Sequence, residues 1–147
     1  MIFIVVSLIL SLDQFSKLIV SKNLSLSQSL PVIKGIFHLS LVHNRGAAFG
    51  IFKNQLPLFV FTSCLAITLI CFNLKRGGKR SYNIALSLIL GGALGNLIDR
   101  LSLGYVIDFL DFRVWPVFNL ADSAITVGAV LLGYSILTTK DRCINKG

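Results

Sequence analysis

The 147-residue sequence contains no glutamate, and its acidic residues are six aspartates. Charged residues of all kinds make up 14% of the chain, whereas hydrophobic residues make up 54%. A soluble domain of this length needs a more polar surface than such a composition supplies. The scarcity of charge therefore predicts one integral membrane domain over residues 1–147. It also makes each aspartate a candidate functional residue.

Several catalytic and metal-binding motifs are missing as well. The two histidines, His38 and His43, occur without an HExxH motif or a third ligand, so the sequence offers no zinc site. The serines lack the GxSxG elbow of a serine hydrolase. The three cysteines show no CxxC spacing, so we expect structural thiols rather than disulfides. No metal and no cofactor is expected.

The net charge of +8 raises the possibility of nucleic-acid binding. The basic residues, however, are not interleaved with stacking aromatic residues, and they cluster at the ends of hydrophobic runs. This distribution is typical of lysines and arginines that flank membrane spans. We therefore expect membrane lipids as partners and no nucleic acid.

Four hydrophobic runs approach the length that a helix needs to cross a hydrocarbon core, about 20 residues. The predicted helices are residues 2–20, 56–74, 81–98 and 122–139. The predicted outer segments are residues 21–55 and 101–118, with short strands at 35–43 and 105–112 where apolar and polar residues alternate. The predicted fold class is an all-α membrane protein, a four-transmembrane-helix bundle with a small extracytoplasmic β-sheet. Because Asp13 interrupts the first run and no basic segment precedes it, we interpret that run as a retained helix.

The distribution of basic residues predicts how the bundle is oriented in the membrane. The segment KRGGKR, residues 75–80, places four positive charges between the second and third helices, and the tail carries Lys140, Arg142 and Lys146. The positive-inside rule assigns both regions to the cytoplasm. Both termini are then cytoplasmic, and the two longer connections face outward.

Polar residues collect at the outer ends of the predicted helices. They are Asp13, Asn44, Arg45, Asn96, Asp99, Arg100, Asp108, Asn119 and Asp122. Asp13 and Lys17 are four positions apart, so a pair across one helical turn is one interpretation of both. Asp99 and Arg100 fit a local ion pair or a headgroup contact as well as a functional site. Asn119 fits a helix N-cap equally well, and Asp111 is predicted to be a solvated strand residue.

Asp108 and Asp122 form a candidate catalytic pair. Two carboxyl groups held close together share a proton, because both cannot ionise at once. One can then act as a base on a water molecule while the other, protonated, polarises a carbonyl group. The alternative interpretation is that each is merely an anion near a helix end, and the spacing alone does not decide between the two.

Two further classes of function compete with an enzyme. A small proton-coupled transporter would use Asp13, Asp99 and Asp122 as a relay. The fourth helix has no acid at mid-bilayer and the chain has no repeated halves, which argues against a carrier. A non-enzymatic assembly factor would use the glycines as partner surfaces, whereas Gly91, Gly92 and Gly95 also fit close helix packing.

Four segments, in order, closely resemble the motifs of the lipoprotein signal peptidase (signal peptidase II) family. They are VHNRGAAFG, GGALGNLIDR, YVIDF and FNLADSAITVG, and with the aspartate-bearing first helix they span about residues 10–140. The resemblance implies a four-helix bundle with a β-cradle in the bacterial inner membrane. It implies an aspartic endopeptidase that cleaves prolipoproteins just before a diacylglyceryl-modified cysteine and is sensitive to globomycin-type cyclic peptides.

The resemblance also assigns residues. It implies Asp108 and Asp122 as the catalytic pair and no metal. The residues implied to shape or support the site are Asp13, Asn44, Asn96, Asp99, Arg100 and Asn119. The active site would lie at the outer membrane surface, and we expect a monomer. The link between Asp108 and Asp122 is shorter than in family members with a longer excursion that covers the site, which leaves open how this site closes over substrate.

Overall fold

The computed structural model describes residues 1–46 and 54–144, with side chains described through residue 138. Its elements in chain order are α1 (Ile2–Asn23), β1 (Ser29–Ile33), β2 (Phe37–Asn44), α2 (Leu56–Arg76), α3 (Arg80–Leu103), β3 (Val106–Asp111) and α4 (Leu120–Ile144). All four helices are long and apolar enough to cross a membrane, which confirms the predicted plan of four spans with a small sheet. Residues 47–50 of the first motif, Lys53 and Lys146 lie outside the described residues.

The predicted ranges were too short at the C-terminal ends of α1 and α3 and at the N-terminal end of α4. α1 continues to Asn23 and α3 to Leu103, and α4 begins at Leu120 rather than at residue 122. Hydropathy locates the apolar part of a helix, whereas the residues added to α1 and α3 are polar or amphipathic. α3 ends where Gly104 adopts a left-handed φ of 80°, a conformation that glycine adopts without steric cost. Several predicted site residues therefore lie within helices and not in loops.

α3 is the central helix, because it packs against each of the other three. Its glycines permit close approach: Gly91 faces Ile9 of α1, and Gly92 lies against the backbone carbonyl of Ala121 in α4. A side chain at Gly92 would overlap that carbonyl oxygen. These positions confirm that the glycines serve close helix packing, which brings the backbones of α1, α3 and α4 together.

α2 is the most peripheral helix. It packs against α3, and none of its side chains between Leu56 and Arg76 is buried within the protein. Large apolar side chains project from its surface, namely Leu58, Phe61, Leu65, Leu69 and Phe72. Such a surface suits a hydrocarbon environment.

The three strands form one antiparallel sheet in the order β1-β2-β3. β1 and β2 are joined by a tight turn in which the Ile36 N–H donates to the Ile33 carbonyl at 3.0 Å. Gly35 adopts a φ of 79° in the position of that turn where a positive φ is required. β1 was not predicted: all five of its side chains are exposed, so its sequence shows no alternation of buried and exposed residues.

The sheet packs on the C-terminal end of α1. Val20 of α1, Leu41 of β2, and Ile107 and Phe109 of β3 form one buried apolar cluster. This cluster fixes the height of β3 relative to the helices. Because Asp108 lies between Ile107 and Phe109, the packing also determines where its carboxyl group lies.

The prediction that Asp111 is a solvated strand residue is wrong. Only 6% of Asp111 is exposed, because nearly every residue of β3 is buried on both faces of the sheet. Its carboxylate accepts a hydrogen bond from the Ser40 hydroxyl at 2.8 Å and pairs with Arg113 at 3.1 Å. The alternation of polar and apolar residues in the sequence predicted the strand, but it did not predict that both faces of the strand are buried.

Substituting Gly92 tests the packing of α3 on α4. We expect Gly92→Ala to lower the unfolding temperature in detergent, because the added methyl group meets backbone, and overpacking typically costs about 1–3 kcal/mol. Gly133→Ala in α4 is the matched control, since nothing lies within 4 Å of a Cβ there. Equal unfolding temperatures for the two variants would show that α3 and α4 do not depend on this close contact.

Candidate active site

The buried ammonium group of Lys17 connects α1 to α3. Its Nζ lies 2.7 Å from Asp13 Oδ2 and 2.9 Å from Asp99 Oδ2, and it donates to Asn96 Oδ1 at 3.0 Å. An ammonium group has three donors, so all three are used. The expected pairing of Asp13 with Lys17 is confirmed. The interpretation of Asp99 as a local partner of Arg100 is wrong, because Asp99 pairs with Lys17 across the helix interface.

The two carboxylates paired with Lys17 also hold backbone groups. Asp13 Oδ1 accepts the N–H of Ala121 at 2.9 Å, in the first turn of α4. Asp99 Oδ2 accepts the N–H of Ile107 at 3.1 Å, in β3. The ion-pair cluster therefore fixes the start of α4 and the outer edge of β3 relative to α1 and α3.

α4 begins with reciprocal capping bonds. Asn119 Oδ1 accepts the N–H of Asp122 at 2.9 Å, and Asp122 Oδ2 accepts the N–H of Asn119 at 3.3 Å. This is the geometry of a capping box, with asparagine and aspartate in its two positions. The Asn119 side chain also donates to Asp108 Oδ1 at 2.7 Å. The predicted N-cap role of Asn119 is confirmed, and the same residue also hydrogen-bonds both aspartates.

Neutral amide groups orient the remaining carboxylate oxygens. Asn44 donates to Asp108 Oδ2 at 2.8 Å, and Asn96 donates to Asp122 Oδ1 at 2.8 Å. Each carboxylate therefore has both oxygens in hydrogen bonds, and all of the donors are amides. An amide fixes the position of a carboxylate without adding the full positive charge that would strongly favour ionisation.

Asp108 and Asp122 line one cavity of about 310 Å³. Its walls come from the end of β2, the start of α2, the end of α3, and the segment between β3 and α4. The lining residues from these elements include Asn44, Phe59, Asn96, Arg100, Trp115 and Phe118. The Arg100 guanidinium lies over the Phe59 ring, 5.1 Å from its centroid. Some predicted site residues thus line the cavity, whereas Asp13 and Asp99 lie in the buried cluster behind it and pair with Lys17.

The surroundings of Asp108 change its acidity. Burial raises the pKa of Asp108 to about 7, and the neighbouring Asp122 carboxylate contributes to the rise. Hydrogen bonds from Asn44 and Asn119 act in the opposite direction, since they favour the ionised form. A carboxyl group with a pKa near neutrality can both hold and release a proton, which is the property of a general acid or base.

One supporting residue was not predicted. Gln14 donates to Asp99 Oδ1 at 2.9 Å and to the Gly95 carbonyl at 3.3 Å, so it extends the cluster around Lys17. In the sequence, Gln14 was distinguished only as a polar residue next to Asp13 in an apolar run.

Across residues 1–46 and 54–138, no group of three or more His, Cys, Asp or Glu side chains could hold a metal ion.

Comparisons with known proteins agree on one family. The family model for signal peptidase (SPase) II matches residues 5–138. A lipoprotein signal peptidase of Halothermothrix orenii is 50% identical over 133 residues, which is 90% of this chain and 92% of the relative. One from Pelotomaculum thermopropionicum is 42% identical over 147 residues, covering 99% of this chain and 97% of the relative.

Solved structures show the same fold. A bacterial membrane enzyme determined by the in meso method at 2.3 Å superposes with a TM-score of 0.91 at 27% identity, covering 96% of this chain and 90% of the other. A second bacterial membrane enzyme, determined at 1.9 Å, gives a TM-score of 0.85 at 28% identity, with 92% of each chain covered.

Removing the ammonium group of Lys17 tests the cluster. Lys17→Met leaves Asp13 and Asp99 buried without a counter-charge, and breaking a buried ion pair costs about 3–5 kcal/mol. We expect a large fall in the unfolding temperature in detergent. The matched control is Lys22→Met, an exposed lysine in the last turn of the same helix, which should unfold as the unmodified protein does. Equal unfolding of both variants would contradict a stabilising role for the cluster.

Proposed function

Since the chain belongs to the signal peptidase II family, we propose that Asp108 and Asp122 are the catalytic pair of a membrane aspartic endopeptidase. Its substrate is a prolipoprotein, whose signal peptide is cleaved just before a diacylglyceryl-modified cysteine. The observation that carries the proposal is that both carboxylates line one cavity and are held by one residue, Asn119, which donates to Asp108 from its side chain and to Asp122 from its backbone N–H.

The reaction is hydrolysis of one peptide bond. One carboxylate accepts a proton from a water molecule as the water oxygen attacks the scissile carbonyl carbon. The other carboxyl group, protonated, donates to the carbonyl oxygen as negative charge develops there. The tetrahedral intermediate then collapses as the amine departs with a proton from the pair. Because the two groups titrate as a unit, the proton belongs to the pair and not to one residue.

The amide donors keep the pair ready for this exchange. Asn44, Asn96 and Asn119 fix the four carboxylate oxygens before substrate arrives, so little reorganisation is needed during the reaction. A lysine or arginine in their place would strongly favour two ionised carboxylates and remove the shared proton. The positive charge of Lys17 is neutralised instead by Asp13 and Asp99.

The proposed location is the bacterial inner membrane, with both termini in the cytoplasm and the site at the outer surface. The basic segment at residues 75–80 adjoins the first residue of α3, whereas Asp99 and Arg100 lie near its last turn. Site and basic segment are therefore at opposite ends of one membrane span. A lipid-modified substrate must keep its acyl chains in the bilayer, which a site at a helix end allows. The proposed active unit is a monomer.

The transporter interpretation is not supported, because the family is a peptidase family. The geometry gives a separate reason against the relay. Asp13 and Asp99 share the ammonium group of Lys17 and also accept backbone hydrogen bonds. Both carboxylates are thus occupied in holding helices and strand together, which is a structural role rather than that of a relay.

Cleavage of a synthetic lipopeptide tests the catalytic pair. We expect Asp108→Asn and Asp122→Asn each to abolish cleavage before the diacylglyceryl-modified cysteine, because an amide can neither accept nor share the proton. Cleavage is measured by the mass of the released signal peptide. The matched control is Asp141→Asn, nearly the full length of α4 away from Asp122, which should cleave normally.

The same assay distinguishes hydrolysis by the aspartate pair from a metal-dependent mechanism. A metal chelator should leave cleavage unchanged if the aspartates act on water directly. Normal cleavage by either asparagine variant, with the protein folded, would show that the pair is wrongly assigned.

The pH profile tests the acidity of Asp108. Catalysis requires one proton on the pair, so we expect activity to fall as pH rises through the pKa of Asp108 at about 7. Asn44→Ala removes a donor that favours the ionised form, so the pKa rises and the alkaline fall should move to higher pH. Thr62→Ala is the control, because Thr62 is exposed and bonds only to its own helix. A shift to lower pH in Asn44→Ala would contradict this account.

A further inference from the structure

The segment between β3 and α4, residues 112–118 and here called the strap, forms one wall of the cavity that holds the aspartate pair. Trp115, Pro116, Val117 and Phe118 all line the cavity. Opposite them lie Asn44 at the end of β2 and Phe59 near the start of α2. The shape of this wall therefore affects any substrate that reaches the pair.

The strap is folded back onto β3. The N–H groups of Phe109 and Leu110 both donate to the Phe118 carbonyl, at 2.9 and 2.7 Å, and the Phe118 N–H donates to the Leu110 carbonyl at 3.1 Å. The rings of Phe112 and Phe118 stack at 5.9 Å between centroids. Phe37 of β2 packs on the Phe112 ring at 4.9 Å. The stacked rings of Phe112 and Phe118 thus hold the first and last residues of the strap together.

The strap begins with a strained turn. The Val114 N–H donates to the Phe112 carbonyl at 2.7 Å, which closes a three-residue turn around Arg113. Arg113 has a φ of 66°, in the left-handed region that non-glycine residues rarely adopt. A turn of this type with a positive φ is rare and needs support from its surroundings.

Asp111 supplies that support. Its Oδ1 accepts the backbone N–H of Arg113 at 2.9 Å, and its Oδ2 accepts the Arg113 guanidinium at 3.1 Å. The Ser40 hydroxyl holds the same Oδ2 at 2.8 Å, and Ser29 on β1 lies 2.8 Å from that hydroxyl. Burial raises the pKa of Asp111, but the hydrogen bonds from Ser40 and Arg113 outweigh it and leave the pKa below its usual value. The carboxylate is therefore charged at neutral pH and fixed from the sheet side.

We propose that Asp111 is a positioning residue that holds the strap as a fixed wall of the substrate cavity. The link between the two proposed catalytic aspartates is short, and its few residues are already folded against the cavity. The cavity therefore needs no separate lid. Asp111 acts through the strap and does not touch the reacting atoms. The effect on substrate rests on the proposed peptidase function, whereas the effect on the strap does not.

Trp115 makes the proposal directly measurable, because it is the only tryptophan in the sequence and lies on the strap. The fluorescence anisotropy of Trp115 and its quenching by acrylamide report strap order in detergent, without substrate. We expect Asp111→Ala to lower the anisotropy, with a smaller change in quenching because Trp115 is already 61% exposed. With the synthetic lipopeptide, we expect a severalfold rise in KM with little change in kcat, the pattern of lost binding rather than lost chemistry. Asn23→Ala, an exposed position at the end of α1, is the control and should change neither readout.

Two further variants keep the test decisive. Asp111→Asn retains an oxygen that can accept the Arg113 N–H, so it should restore part of the anisotropy. Arg113→Gly suits the positive φ but removes the guanidinium contact, so it should stay folded with a smaller loss of anisotropy. If Asp111→Ala does not fold, these two variants decide the question. Unchanged anisotropy in every folded variant would overturn the proposal. Absence of cleavage by the unmodified protein would instead contradict the peptidase function and leave the strap result standing.

Discussion

A single buried ammonium group, that of Lys17, is the interaction on which the rest of the site depends. Burying a charge is costly unless it is paired and hydrogen-bonded. Lys17 satisfies this condition with Asp13 from its own helix, and with Asp99 and Asn96 from α3. The same two carboxylates also hold backbone N–H groups: Asp13 accepts from α4 with its second oxygen, and Asp99 accepts from β3 with the oxygen that Lys17 contacts. The charge cluster thereby determines where the elements carrying Asp108 and Asp122 begin.

The four buried or half-buried aspartates around this site fall into two environments. Asp13 and Asp99 face a full positive charge, whereas Asp108 and Asp122 receive hydrogen bonds from neutral amides. Asn96 joins the two environments, since its oxygen accepts from Lys17 and its nitrogen donates to Asp122. The Asn96 amide thus links the position of Asp122 to the ion cluster, and it lies between the ammonium group and the carboxylates of the proposed catalytic pair. This separation is consistent with the raised pKa of Asp108 beside a lysine cluster.

Much of this arrangement could be predicted from the sequence. Four long apolar runs indicated the helices, and a polar residue inside an apolar run indicated Asp13 and Lys17. The ordered motifs, together with Asp13 in the first helix, contain every predicted site residue that the structure brings to the cavity or to the cluster behind it. Their assignment as catalytic or supporting residues stays a prediction, because geometry alone does not measure activity.

What could not be predicted depended on contacts between distant segments. β1 has no alternating pattern, because its side chains are all exposed and its pairing with β2 comes from backbone bonds. Asp99 was expected to pair locally, yet its partner lies on another helix. Asp111 was expected to be solvated because its side chain is charged, and only the pairing of β2 with β3 brings Ser40 to it. In each case the deciding neighbour is far away in the chain.

The start of α4 explains why structural and catalytic roles are difficult to separate here. The first N–H groups of a helix have no partner within the helix, and hydrocarbon offers none. In α4 the Ala121 N–H donates to Asp13, and the Asp122 N–H donates to the side chain of Asn119. Asn119, which accepts the Asp122 N–H at the start of the helix, thus also orients the proposed catalytic pair. A loss of activity on substituting Asn119 therefore does not identify a catalytic role, because the same change removes the cap of the helix that carries Asp122.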